Sequence, residues 1–136
     1  MKRRKAREYA LQMLFQLDFT KRTYDEKTFE EFWSGKNERI DVKEFAVNLV
    51  RGTLQNLEKI DAMIEMVTEN WLLKRIAAVD RNILRFAAYE ILYRKDIPSA
   101  VTINEALEIA KKFSSTEAAS FLNGVLDRIA KEAGKV

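Results

Sequence analysis

The chain has no histidine and no cysteine, and those two absences exclude more chemistry than any residue present suggests. Without histidine there is no Ser–His or Cys–His nucleophile, no Glu-x-x-His metal site and no side chain that titrates near neutral pH unperturbed. Without cysteine there are no disulfides and no zinc–thiolate sites, in keeping with a cytoplasmic protein. No apolar run approaches the roughly 18 residues of a membrane span, and the N-terminus lacks the apolar stretch of a signal peptide. Phosphate-cradling glycine loops and nucleophile elbows are missing too. The adjacent acids Glu30 and Glu31 point about 100° apart on a helix and make poor acid–base partners. No catalysis, cofactor or metal is therefore expected.

One proline and four glycines in 136 residues leave little room for the turns of a sheet. A helical period runs through nearly the whole chain, as expected of an all-α single domain covering residues 1–136. It predicts helices over 4–20, 25–34, 42–59, 61–70, 80–94, 103–113 and 116–133, with a short turn at 72–76. Capping-box spacings mark the starts at Thr23–Glu26, Asp41–Glu44, Thr102–Glu105 and Ser114–Glu117. Gly52, inside the third helix, implies close approach by another backbone, since an interior glycine costs about 1 kcal/mol against alanine. Asp61, Glu65 and Glu69 form an acidic row on the fourth helix, read as a solvated face or as a dock for a basic partner.

Charge is unevenly spread. The first 22 residues hold seven cations, Lys2, Arg3, Arg4, Lys5, Arg7, Lys21 and Arg22, against Glu8 and Asp18. The remaining 114 carry 17 basic and 19 acidic side chains, so the basic balance comes from one end. Cations in a first helical turn oppose the macrodipole by roughly 0.3–1 kcal/mol each, which suggests a use beyond folding. A basic end serves solubility or polyanion binding, and charge alone does not choose. The same helix carries two apolar stripes. Ala6, Ala10, Met13, Leu14 and Leu17 share one face, while Phe15 stands opposite with Leu11 and Phe19. A second stripe means either the interior of a bundle or cover by another protein, and periodicity favours the interior. Phe121, beside Gly124 and Arg128, reads as a core rim residue or as a platform for an unstacked base.

Six motifs in order carry a resemblance that composition does not. They are Arg3-Arg4-Lys5-Ala6-Arg7-Glu8, Val79-Asp80-Arg81-Asn82-Ile83-Leu84-Arg85, Tyr89-Glu90-Ile91-Leu92, Asp96-Ile97-Pro98, Ile103-Asn104-Glu105-Ala106 with Ala110-Lys111-Lys112-Phe113, and Phe121-Leu122-Asn123-Gly124-Val125-Leu126-Asp127. Together with Trp71 and Arg75 they resemble, almost end to end, the NusB family of bacterial transcription antitermination factors. The resemblance implies two small antiparallel helical bundles packed at a steep angle. It implies pairing with NusE, a small-subunit ribosomal protein, and binding of boxA-type single-stranded RNA within the transcription elongation machinery of ribosomal RNA operons.

By the same resemblance the RNA contacts fall to Lys2, Arg3, Arg4 and Arg7 and, at the last helix, to Glu117 and Phe121. The NusE contacts fall to Phe15 and Asp80. The family commonly has tyrosine at the Phe15 position, and aspartate at position 80 reaches one methylene less than glutamate. A relative uses the fold as an appendage on a ribosomal RNA methyltransferase, but with the chain ending at Val136 that enzyme is not expected. The alternative is a helical interaction module, or a homodimer, with an incidental basic end.

Overall fold

A computed structural model describes residues 2–21, 25–69 and 73–134, and among them there are seven α-helices, one 3₁₀ turn and no strand. The helices are α1 (Arg3–Thr20), α2 (Glu26–Trp33), α3 (Ile40–Gln55), α4 (Leu57–Val67), α5 (Ala78–Tyr93), α6 (Ser99–Phe113) and α7 (Thr116–Glu132). The 3₁₀ turn, Leu73–Arg75, precedes α5.

The helix with the most buried residues takes the centre. α5 buries Ile83, Leu84, Phe86, Ala87, Ala88 and Ile91 completely and packs on α1, α3, α4, α6 and α7. Around it, α1 lies chiefly on α3, and α6 chiefly on α7. A helix buried on several sides needs apolar residues beyond one stripe, and Phe86 supplies one of them. The short α2 is held to α1 by edge-to-face rings, with Tyr9, Phe32 and Trp33 centroids 4.9–6.1 Å apart.

Helix starts differ from the capping signals for identifiable reasons. α6 begins at Ser99 because Pro98, at φ −60° and ψ 140°, takes the cap position. Thr102 is thus interior and fully buried, and its hydroxyl donates to Glu90 Oε1 at 2.8 Å. α7 is capped by Ser115, whose hydroxyl accepts from the Ala118 amide at 2.9 Å, one residue past Ser114. Asp41 sits in the first turn of α3, paired with Arg39, not at its cap. Asp80 likewise lies in the first turn of α5, which opens at Ala78. Thr23 and Trp71 lie outside the described residues; α2 is capped by Asp25, which accepts from the Thr28 amide at 2.8 Å.

The third and fourth helices divide at Asn56, earlier than the periodicity suggests. Its φ of −116° and ψ of 17° leave the helical path, and its side-chain amide donates to the Gly52 carbonyl at 2.9 Å. Gly52 does meet a close approach, though from a side chain. A Cβ there would run into the Tyr89 ring.

Candidate nucleic-acid interface

The start of α1 has no side-chain cap and no acid in its first turn. Its cations are met in different ways. Lys2, Arg3, Arg4 and Lys5 are exposed. Arg3 lays its guanidinium 4.9 Å from the centroid of the Phe45 ring, and Lys5 places its ammonium 5.2 Å from the Tyr9 ring. Both leave their charge open to a ligand, because a π face does not neutralise a cation.

Arg4 is held differently. Its Nε and Nη2 donate to the two carboxylate oxygens of Glu105 on α6 at 2.8 and 2.7 Å. That fork lowers the Glu105 carboxyl below its ordinary range and raises the Arg4 guanidinium further. One helical turn on, Lys112 donates to Glu8 at 3.1 Å, and Lys111 to Glu108 at 3.0 Å. The seam between α1 and α6 is therefore a ladder of opposite charges.

Arg7 departs from the sequence expectation. Its side chain is only 1% exposed, and its Nε and Nη2 donate to both oxygens of the fully buried Glu90 at 2.7 and 2.8 Å. The Thr102 hydroxyl completes the cluster from α6, and the Phe45 ring lies 5.4 Å from the guanidinium. A guanidinium locked in the core by its own carboxylate does not present itself to a phosphate. Arg7 thus leaves the set of RNA-contacting candidates and becomes the residue that ties α1 to α5. The signal for this was Glu90. It falls within the buried stripe of α5, where a carboxylate requires a buried cation.

Glu117 and Phe121 lie on α7, which packs on α6, α5 and α4. Glu117 is exposed in the first turn of that helix. Phe121 is half-buried and lines a groove of about 270 Å³ with Val67, Gly124 and Arg128. Arg128 donates to the Val67 carbonyl at 2.8 Å and so closes the end of α4 beside that groove.

Farther along α1 the second apolar stripe divides. Leu11 is buried, whereas Phe15 stays 38% and Phe19 82% exposed. Phe15, Leu11, Val79 and Phe113 line an apolar groove of about 220 Å³. The other residue named for the partner contact, Asp80, follows Val79 in the first turn of α5 and does not itself line the groove. Among the described residues, the buried Oδ1 of Asp80 has no hydrogen-bond partner. Phe113, 39% exposed, was not singled out from the sequence, where it reads as the mere end of a helix.

A third polar cluster joins α1 to α5. Asp18 accepts from Arg81 at 2.6 Å and from Asn82 at 3.2 Å, with Arg85 at 3.5 Å. Burial pushes the Asp18 carboxyl up, but Arg81, Arg85 and Asn82 outweigh it and hold the group at about 2. Asp61 was expected on the outer acidic row, yet it turns to Arg85, which donates at 2.9 and 3.0 Å. There burial prevails over the arginine and raises the carboxyl.

Comparison with known proteins bears on the family and the fold. The NusB family profile matches residues 4–131. The chain is 48% identical to a protein of Thermodesulfovibrio yellowstonii named transcription antitermination protein NusB, over 97% of this chain and 93% of that one. The solved NusB of T. maritima superposes with a TM-score of 0.87 at 43% identity, covering 97% and 92% of the two chains. A solved complex of antitermination factors NusB and NusE with double-stranded RNA contains a chain of the same fold. It matches with a TM-score of 0.86 at 28% identity, over 97% of this chain and 99% of that one.

Proposed function

Because the chain belongs to the NusB family, whose members are antitermination factors and not enzymes, we propose that it pairs with a NusE-type ribosomal protein and holds boxA-type single-stranded RNA during transcription of ribosomal RNA operons. One observation carries this reading. A single helix presents open cations at its first turn and, three turns on, an uncovered apolar groove. The cations suit phosphates, and the groove suits a protein face.

Lys2, Arg3 and Arg4 neutralise phosphates and release counterions, so affinity falls with salt by a log–log slope of about 0.7 per contact on a single strand. Unstacked bases then supply sequence choice through aromatic and polar groups, among them Phe121 and Glu117. The partner covers Phe15 and Phe113, and a donor from it satisfies the buried oxygen of Asp80, which is otherwise left unpaired at a cost of about 1–3 kcal/mol.

The test is a titration of labelled boxA-containing single-stranded RNA, with and without NusE, at several salt concentrations, beside a duplex of the same sequence. Tightening by NusE and preference for the single strand are expected. A slope near zero, or no effect of NusE, would sink the reading. Arg3→Ala should weaken RNA binding across sequences and leave NusE capture intact; Asp80→Ala should do the reverse. Equal loss of both partners in both variants would refute the division into two surfaces.

A further inference from the structure

Of Arg3, Arg4 and Lys5, the exposed cations at the start of α1 with a described contact, Arg4 alone among the described residues hydrogen-bonds a carboxylate. Its surroundings are acidic beyond that one partner, since Glu105, Glu108 and Glu8 all act on its charge. Lys111 and Lys112 are likewise matched by Glu108 and Glu8. The α1–α6 seam is thus locally neutral, although it lies in the most basic part of the chain. A phosphate approaching Arg4 meets a site already filled by two oxygens at hydrogen-bond distance. Carboxylate and phosphate offer the same guanidinium fork the same pair of acceptors, so only one of them binds it at a time.

We propose that Glu105 is an affinity-limiting residue for RNA: it competes with phosphate for Arg4, and RNA engages this helix by exchanging one bidentate partner for the other. The inference rests on the RNA reading above and names the residue that tunes it. The geometry supports an exchange over a permanent bond. Arg4 keeps 49% of its side chain exposed, so a ligand reaches it without unfolding anything. Glu105 keeps 17%, and on release it still has Arg7 Nη1 at 4.0 Å from Oε1. Arg7 cannot leave, because its other two nitrogens are fixed on Glu90. The buried arginine therefore serves as a standby counterion that keeps a released Glu105 from becoming an orphaned charge. Among the described residues neither Arg3 nor Lys5 is forked to a carboxylate as Arg4 is; each lies against an aromatic ring, with Asp96 and Glu38 acting on them only through space, so the exchange of bidentate partners is particular to Arg4.

The experiment measures binding of the boxA-containing single-stranded RNA to the full chain and its Glu105→Gln variant across salt concentration. Removing the competing charge should tighten binding by about three- to tenfold at low salt. It should also steepen the salt slope by a fraction of the roughly 0.7 expected for one full phosphate contact. Glu30→Gln, a remote acid on α2, changes net charge equally and should tighten binding far less. In an Arg4→Ala background the gain from Glu105→Gln should vanish. Unchanged or weaker binding by Glu105→Gln, an equal gain from Glu30→Gln, or a gain that survives Arg4→Ala would each overturn the inference. Glu105→Asp, which retracts the carboxylate by one methylene and keeps its charge, gives a second reading: a smaller gain supports the exchange, and a loss refutes it. Wild-type protein that binds no RNA would overturn the RNA reading and this inference together, whereas wild-type binding without the Glu105→Gln gain overturns the inference alone.

Discussion

Arg4 and Arg7 stand three residues apart on one helix, and each holds a glutamate through a two-bonded fork of 2.7–2.8 Å. Bond length does not distinguish them; surroundings do. The Arg7–Glu90 pair sits in the core with a threonine and an aromatic ring closed around it, so both charges have been taken out of water and depend on each other. The Arg4–Glu105 pair faces solvent, which repays most of what a broken contact loses. One turn of helix thus separates an ion pair that maintains the fold from one that a ligand can replace. A short distance between charges says little about their role until burial is known.

That contrast breaks first under Arg7→Ala. Removing one partner of a buried pair leaves Glu90 as an uncompensated carboxylate, and a loss of about 3–5 kcal/mol is expected in urea or thermal unfolding. At temperatures where the variant remains folded, its RNA salt slope should match the wild type. A slope lowered by a full contact would mean that Arg7 does reach phosphate.

Next comes the half-buried Asp18 cluster, which tests the middle of the range. Its carboxyl is held at about 2 in the folded chain and returns to 3.8 on unfolding. A depressed carboxyl stabilises the fold above the unfolded value and loses that stabilisation as pH falls through the folded one. The cluster should therefore contribute about 2 kcal/mol above pH 4, fading between pH 4 and 2. Asp61, raised by burial, works in the opposite direction and partly offsets the loss. The variant Asp18→Asn should flatten the acid limb of the stability–pH curve; an unchanged limb would place the Asp18 contribution elsewhere.

Arg4→Ala should matter least to folding, by no more than about 1 kcal/mol, as for exposed pairs generally. Its effect belongs to RNA, where affinity should drop for all sequences alike and the salt slope should shrink. A loss of stability comparable to that of Arg7→Ala would erase the distinction between the two arginines.

Much of this was legible in the sequence and some was not, for reasons of range. The seven helices follow from period, because a residue and its neighbours three and four along share a face whatever the rest of the chain does. Starts were less legible. Thr102 and Glu105 have capping-box spacing, yet Pro98 opens the helix earlier and Thr102 turns inward to Glu90. Arg7 sits in a run of cations and so reads as solvent-facing, while the carboxylate that holds it in the core lies 83 residues away. The two stripes of α1 were visible, but periodicity favoured burial of both; Leu11 is buried and Phe15 is not. Which half of a stripe finds cover depends on where α5 and α6 end, and no local pattern contains that. Family resemblance named Phe15 and Asp80, and the fold added Phe113 beside them.

The contact between Gly52 and the Tyr89 ring reaches further than its own helix pair. The ring rests where any other residue would place a carbon, so α3 and α5 sit at a spacing with no tolerance for a single methyl group. Tyr89 stacks on Tyr93, 5.6 Å away, and is followed in the chain by Glu90, the anchor of Arg7. The alignment of the cationic turn of α1 is in this sense calibrated by a residue with no side chain, on a helix remote in sequence from every arginine it aligns. An interface built this way inherits its accuracy from a gap being kept empty.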